Sequence, residues 1–179
     1  MIMQKKVIVT IIIVFLVSVG LYFAVGNKSE TRTQTSVGTS IGNKSPDFSY
    51  TTLDGIKVDS AALHGKVVVI TSSAAWCPTC IMEAQQFAPV YQKYKDGPVA
   101  FITVDIDPRD DKNFIKQFKQ DNNTPWDYAD AQGGADISQK FGFDRFEITY
   151  IIDKEGVIQF RDGVITSTDK LDAEIKKLI

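Results

Sequence analysis

Two residues carry the chemistry in this sequence. Cys77 and Cys80 are the only cysteines in 179 residues, and they lie in Ala75-Trp76-Cys77-Pro78-Thr79-Cys80. The pair follows the apolar run Val67-Val68-Val69-Ile70 and opens a segment patterned as helix, Pro78 to about Tyr94. A strand that delivers two thiols to the first turn of a helix suits dithiol–disulfide exchange. At the helix start, free backbone N–H groups and the positive end of the dipole favour a thiolate on Cys77. That makes Cys77 the expected attacking sulfur, exposed at the helix end. Cys80 lies one turn on, shielded by the helix and close enough to form a disulfide with it. Pro78 suits the first helical position, where its missing N–H costs nothing.

Plainer roles compete. Half of a zinc site is one, but a structural zinc takes four protein ligands, and with His64 as the only histidine the chain cannot supply a Cys/His set. No metal ligands are therefore assigned. A structural disulfide is another, but a bridge over two residues closes a loop too short to stabilise much. Two incidental buried thiols are the third. A peroxidase of the peroxiredoxin type would want a threonine three residues before its cysteine, where this chain has Ala74. The spacing of the pair favours redox work over all of these.

The elements that must position the pair form one domain. The composition, 44% hydrophobic with a formal charge of −2, is enough for a sizeable core. A pI of about 5.4 and the lack of a basic patch argue against nucleic acid. Ahead of the domain, residues 1–6 include Lys5 and Lys6, and 7–25 is an uncharged apolar run. At 1.5 Å per residue the run nearly crosses a bilayer core of about 30 Å. A single-pass anchor is expected, with the lysines inside and the domain outside the cell membrane; a cleaved signal peptide is the other option, since Ala24-Val25-Gly26 could be a small-x-small cleavage site. No cysteine follows the run to take a lipid. Residues 27–44, rich in Ser, Thr, Gly and Asn, are expected to be a flexible tether, and 45–179 the folded domain.

Within that domain, Phe48–Thr51 and Ile56–Val58 flank Leu53-Asp54-Gly55 as a hairpin. His64 falls in the turn before the first buried strand, Val67 to about Ser72, and is expected at the surface rather than as a proton shuttle. Pro89 falls within the helical pattern and should kink the helix by clashing with the Gln85 carbonyl. Val99–Asp105 is a second buried strand, 112–119 a helix, Trp126–Tyr128 a short strand, and 135–141 a small helix. Ile148–Ile152 and Val157–Arg161 flank Asp153-Lys154-Glu155-Gly156 as strands, and a last helix starts near Thr168. Asp105, Asp107, Asp110 and Asp111 lack the glycine and glutamate of a calcium loop and are expected to be solvated. Strands joined by helices and then a hairpin predict an α/β domain with a mixed central sheet flanked by helices.

From about Gly42 to Ile179 the chain resembles the thioredoxin-like thiol–disulfide oxidoreductases of the TlpA/ResA family. The resemblance rests on Ser45-Pro46-Asp47-Phe48, Leu53-Asp54-Gly55, Gly65-Lys66-Val67-Val68-Val69, Ala75 to Cys80, Glu83, Val104-Asp105, and Ile151 to Ile158. It implies a thioredoxin-like fold with an N-terminal β-hairpin extension, a redox-active Cys77–Cys80 disulfide and no cofactor. It also implies protein disulfide or dithiol substrates, a membrane electron-transfer partner, and work as a reductase outside the cytoplasm.

Three positions depart from the family: Glu147, Thr71 and Gln85, the last standing where the family often has a helix-kinking proline, so that Pro89 would shift the kink by about one turn. The family's cis-proline facing the cysteines would align with Glu147; a cis bond without proline costs about 2.5–4 kcal/mol, so a trans peptide is expected. Glu147 then either points to solvent, pairing with Arg145, or tunes the site, where a carboxylate beside Cys77 would oppose the thiolate. The buried acid of thioredoxins would align with Thr71, whose hydroxyl cannot act as a base and either orients a water or packs. Glu83 matches a family glutamate and is either an acid/base for Cys80 or a surface charge. Trp76, Pro78 and Thr79 are further candidates for tuning the pair. The runner-up function is a binding module or metallochaperone holding a soft metal such as Cu(I) at the two cysteines.

Overall fold

A computed structural model describes the protein over residues 36–179. The apolar run 7–25 and the first part of the expected tether, 27–35, lie outside the described residues. Among the described residues, no helix is long and apolar enough to cross a membrane.

The element order is β1 (Ser49–Thr51), β2 (Lys57–Asp59), a 3-10 turn (Ser60–Leu63), β3 (Val67–Ser73), α1 (Pro78–Tyr94), β4 (Val99–Asp105), α2 (Lys112–Asp121), β5 (Asp127–Ala129), α3 (Ala135–Phe141), β6 (Thr149–Ile152), β7 (Ile158–Asp162) and α4 (Thr168–Lys176). A five-stranded sheet runs β5-β4-β3-β6-β7, with β1-β2 as a separate hairpin. The β3–β4 and β4–β5 pairs are parallel, while β6 and β7 are antiparallel additions. The β3–β4 pair, linked through α1, is the parallel crossover expected of alternating strands and helices.

Side-chain alternation sends each strand into two cores. Val67, Val69, Phe101, Ile151 and Phe160 pack with Phe87 and Val90 of α1, Ile115 and Phe118 of α2, and Leu171 and Ile175 of α4. Val68, Ile70, Ile102, Tyr150 and Ile158 pack on the other face with Ile137 and Phe141 of α3 and Phe48 and Tyr50 near β1. All seven residues of β3 are buried, as befits a central strand covered on both faces. Pro89 lies inside α1, which continues to Tyr94; its missing donor leaves the carbonyl of Gln85 without its usual partner, on a solvent-exposed turn. Gln86, on the same helix, accepts from the backbone of Thr168 and ties α4 to α1.

The expected tether ends earlier than residue 44. Gly42 donates to the Ile158 carbonyl, Ile158 donates back to Asn43, and Lys44 forms a bridge with Val157. Lys44 also closes a small turn onto Ser36. The reason is the open edge of β7, whose unpaired backbone groups need partners. A chain beginning at Ser45 should therefore be less stable than one beginning at Ser36, by about 1–3 kcal/mol for the lost backbone hydrogen bonds. Urea unfolding of the two chains checks this, and equal midpoints would return the segment to a mere spacer.

Candidate active site

The sulfurs sit where β3 ends and α1 begins. Cys77 takes an extended conformation as the N-cap of α1, and its Sγ accepts the N–H of Cys80 at 3.3 Å. Thr79 Oγ1 lies 3.1 Å from the same sulfur. This arrangement supplies Cys77 with the dipole and donors that the sequence anticipates for an attacking thiolate. Both cysteines are free.

The exposure differs from expectation. Cys77 is 4% exposed and Cys80 2%, so Cys77 is not an open thiol. Phe146, from the loop before β6, packs against the cluster of Ala74, Cys77 and Cys80, and its ring meets Trp76 edge to face at 5.6 Å. Pro78 and Thr79 remain at the surface, and Trp76 is half exposed. Burial, then the hydrogen bond with Cys77, pushes the Cys80 thiol well above its ordinary value.

Two neighbours of β3 bring carboxylates to this point. On one side, the parallel register sets Ser73 opposite Asp105. Asp105 accepts the Ala75 N–H at 2.9 Å, and Asp110 accepts the same N–H at 2.8 Å. Asp107 accepts Trp76 Nε1–H at 2.7 Å and is clasped by Arg109, whose guanidinium also lies over the Trp76 ring. The expected solvated loop is thus a brace for the active-site turn. Asp105 and Asp107 are buried, and Asp111 caps α2 instead. Burial, with the Asp110 carboxylate beside it, raises Asp105; the Arg109 hydrogen bonds hold Asp107 well below the usual carboxylate range. The missed signal was position: these residues follow the strand that pairs with the cysteine-bearing strand.

On the other side, Ser72 stitches the loop before β6 to β3. The Ser72 hydroxyl donates to the Arg145 carbonyl and accepts the Ile148 N–H, while Glu147 N–H donates to the Ser72 carbonyl at 3.0 Å. Glu147 is held at φ 62°, in the left-handed region. Its side chain turns to the sulfurs, with Oε1 3.7 Å from Cys77 Sγ and 3.9 Å from Cys80 Sγ. The solvent-facing option for Glu147 is therefore wrong, and Arg145 packs over Gly163 rather than pairing with it. No cis peptide occurs among the described residues. Cys77, Cys80 and Glu147 also place three metal-ligating atoms within 4.8 Å of one another. Sequence spacing does not show this group, because its carboxylate comes from a distant loop.

Beneath Cys80 lies Glu83, 3% exposed and not a surface charge. It accepts from Thr71 Oγ1 at 3.1 Å, from Thr166 N–H at 3.2 Å and from Thr149 Oγ1 at 3.4 Å. Burial pushes its carboxyl up to about 7, against the lowering effect of those donors, and the Glu147 charge adds to the rise. Thr71 neither packs idly nor acts as a base; it orients Glu83. Cys80 and Glu83 line the same small cavity of about 10 Å³, with Thr71, Ser73 and Thr103 also in its lining, roughly the room one water needs. His64 lies exposed before β3, at the strand end away from the cysteines.

Two outcomes follow from these contacts. Glu147→Pro should destabilise the fold by about 2 kcal/mol or more, because proline cannot adopt φ 62° and loses the hydrogen bond to Ser72. Glu147→Gly should not, since glycine tolerates that backbone. Equal unfolding midpoints for the two variants would refute the strained loop. The second outcome concerns Glu83. Between pH 4.5 and about 7 the folded protein holds a proton on Glu83 that the unfolded chain has released. This contribution to stability is full below about pH 4.5 and is lost as pH rises through 7, a change of roughly 3 kcal/mol. Asp105, also raised, acts in the same direction. Glu83→Gln should shrink the loss of unfolding free energy between pH 5 and pH 8, and an unchanged pH profile would contradict the buried carboxyl.

The family model described as Redoxin matches residues 40–178. The thiol-disulfide oxidoreductase ResA of Bacillus thuringiensis subsp. konkukian is 33% identical over 141 residues, covering 77% of this chain and 78% of that relative. The thioredoxin-like protein YneN of Bacillus subtilis is 27% identical over 177 residues, 96% of this chain and 100% of that relative. A putative thioredoxin from Neisseria meningitidis superposes with a TM-score of 0.66 at 27% identity, covering 74% of this chain and 87% of that one. A putative protein disulfide isomerase from Bacteroides thetaiotaomicron shares the fold, with a TM-score of 0.67 at 22% identity over 78% of this chain and 87% of that one. With a Cys-Pro-Thr-Cys turn capping the helix that follows the central strand, this chain belongs to the Redoxin family and is a thiol–disulfide oxidoreductase of the ResA and thioredoxin type.

Proposed function

We propose that the protein is a membrane-anchored reductase of protein disulfides outside the cytoplasm. The observation that carries the mechanism is the division of labour between the sulfurs: Cys77 Sγ caps α1, while Cys80, its thiol pushed upward by burial, shares a small cavity with Glu83. Cys77 thiolate attacks one sulfur of a substrate disulfide, and the other sulfur leaves as a thiolate that takes a proton from solvent. Cys80 then loses its proton toward Glu83, through the small cavity they share, and attacks Cys77 Sγ. The second substrate sulfur leaves, and the Cys77–Cys80 disulfide forms. Two electrons pass from the dithiol to the substrate, so no cofactor is needed. A membrane electron-transfer partner restores the dithiol.

The apolar run 7–25 and the likeness to ResA support the anchor and the direction. A membrane-impermeant thiol reagent applied to intact cells should label Cys77 in the reduced protein. Labelling only after lysis would place the domain inside. The midpoint potential of the pair should lie near the thioredoxin value of about −270 mV; a value near −120 mV would make the protein an oxidant.

Glu83 gives a kinetic test. Glu83→Gln should leave formation of the Cys77 mixed disulfide largely intact and slow its resolution by Cys80 by roughly 10²-fold. The rate of resolution in the native protein should change with an inflection near pH 7, where Glu83 titrates. Rapid-mixing measurements of both steps check this, and an equal resolution rate in the variant would remove Glu83 from the proton path.

A further inference from the structure

The loop that carries Glu147 adds a third donor to the two thiols. Its Oε1 is 3.7 Å from Cys77 Sγ and 3.9 Å from Cys80 Sγ, and all three ligand atoms lie within 4.8 Å of one another. A tetrahedral zinc ion holds sulfur at about 2.3 Å and carboxylate oxygen at about 2.0–2.2 Å, which sets its ligand atoms roughly 3.5–3.8 Å apart. The gaps between Glu147 and the two sulfurs are close to those edges without any shift of the backbone. The carboxylate is placed there at φ 62° and pinned by the hydrogen bond to Ser72, a strained conformation typical of functional sites. Phe146 packs on the cluster of Ala74, Cys77 and Cys80, Trp76 leans on Phe146, and both cysteines are buried, so the donors are partly screened from water. Thr79 Oγ1, 3.1 Å from Cys77 Sγ, supplies a hydrogen bond of the kind that orients a metal-bound thiolate.

We propose that Cys77, Cys80 and Glu147 of the reduced protein bind one divalent cation of the zinc class, and that the bound cation closes the dithiol to disulfide exchange. The donor set selects the cation. Two sulfurs disfavour calcium and magnesium, which take oxygen ligands, and the carboxylate oxygen suits zinc better than the soft Cu(I) ion. Three protein ligands leave the fourth position to water, which makes the ion exchangeable rather than structural. Binding moves no electrons: any S–H proton still held by either sulfur passes to solvent, and two metal–sulfur bonds and one metal–oxygen bond form. The sulfur lone pairs are then engaged and cannot attack a disulfide. Once the ion dissociates, oxidation to the Cys77–Cys80 disulfide, with two electrons leaving to a substrate disulfide, removes both thiolate donors and prevents its return. The inference rests on the same dithiol performing exchange, and it adds a state in which that dithiol is held closed.

The test uses the full chain, reduced with a non-thiol phosphine, and zinc measured by competition with a chromophoric chelator. One zinc per reduced chain and none per oxidised chain is the expected result. Glu147→Gln should weaken zinc binding about tenfold or more while leaving the thiols intact, and Glu147→Asp should fall between the two. Zinc at one equivalent should block alkylation of Cys77 in the native protein, and a chelator should restore it. Equal zinc affinity in the native protein and both Glu147 variants would overturn the three-donor site, as would equal binding by the oxidised chain. If Glu147→Gln fails to fold, the Glu147→Asp comparison and the oxidised control decide the matter. A chain that exchanges disulfides but binds no zinc defeats this inference alone, whereas one that binds zinc but exchanges nothing defeats the catalytic mechanism alone.

Discussion

The central strand β3 has neighbours on both sides, and the site depends on where those neighbours stop. Each residue of β3 is buried, so its backbone groups must be paired on both edges. The parallel partner β4 runs out at Asp105, opposite Ser73. The antiparallel partner β6 begins at Thr149, opposite Thr71, so the loop before it crosses the end of β3. The cysteine turn, the acidic brace and the Glu147 loop converge because these pairings leave them nowhere else to go. Fixing two registers fixes the distance from either sulfur to Glu147 and from the Ala75 N–H to Asp105.

The electrostatics of the site follow from that convergence. Glu83, Glu147, Asp105, Asp107 and Asp110 gather around the turn, and the cation tied to this cluster, Arg109, is engaged by Asp107. Among the described residues no Lys or His hydrogen-bonds either sulfur, and a thiolate here relies on the Cys80 N–H and the dipole of α1. Burial, more than the neighbouring acids, pushes both Cys80 and Glu83 upward, which suits a resolving thiol that must stay neutral until Glu83 can take its proton. A proton that stays on Cys80 until the mixed disulfide forms prevents both sulfurs from being charged together. Neutralising such a group takes either protons or a cation, and the two are in competition.

Much of the fold was legible in the sequence, because buried strands and amphipathic helices declare themselves by periodicity. Helix Pro78–Tyr94 and strand Val99–Asp105 match expectation, and α2 runs only two residues past its expected end at Lys119. The pair of cysteines was legible from spacing alone. What was not legible came from pairings distant in sequence. Asp105 and Asp107 look like any polar loop until the β3–β4 register puts them against Ala75 and Trp76. Cys77 looks open until Phe146, from a loop beyond α3, covers it. Residues 36–44 lack any apolar period, yet they dock because the edge of β7 offers hydrogen bonds rather than apolar surface.

The conformation of Glu147 is set by the hydrogen bonds that hold its loop to the central strand. A proline at this position could neither adopt φ 62° nor donate to the Ser72 carbonyl. Ser72 in turn binds the loop through three groups and four hydrogen bonds: its carbonyl accepts from Glu147 N–H, its N–H donates to the Ile148 carbonyl, and its hydroxyl donates to the Arg145 carbonyl and accepts from Ile148 N–H. The loop is therefore held by hydrogen bonds to the central strand, and the conformation it gains turns a side chain inward. A left-handed glutamate costs of order 1–3 kcal/mol relative to a relaxed backbone, and glycine would avoid that cost. A glutamate there supplies what glycine cannot: an oxygen within 4 Å of both sulfurs. Such strain at one residue, supported by four hydrogen bonds from its neighbour on the sheet, points to the carboxylate as the reason the loop takes this shape.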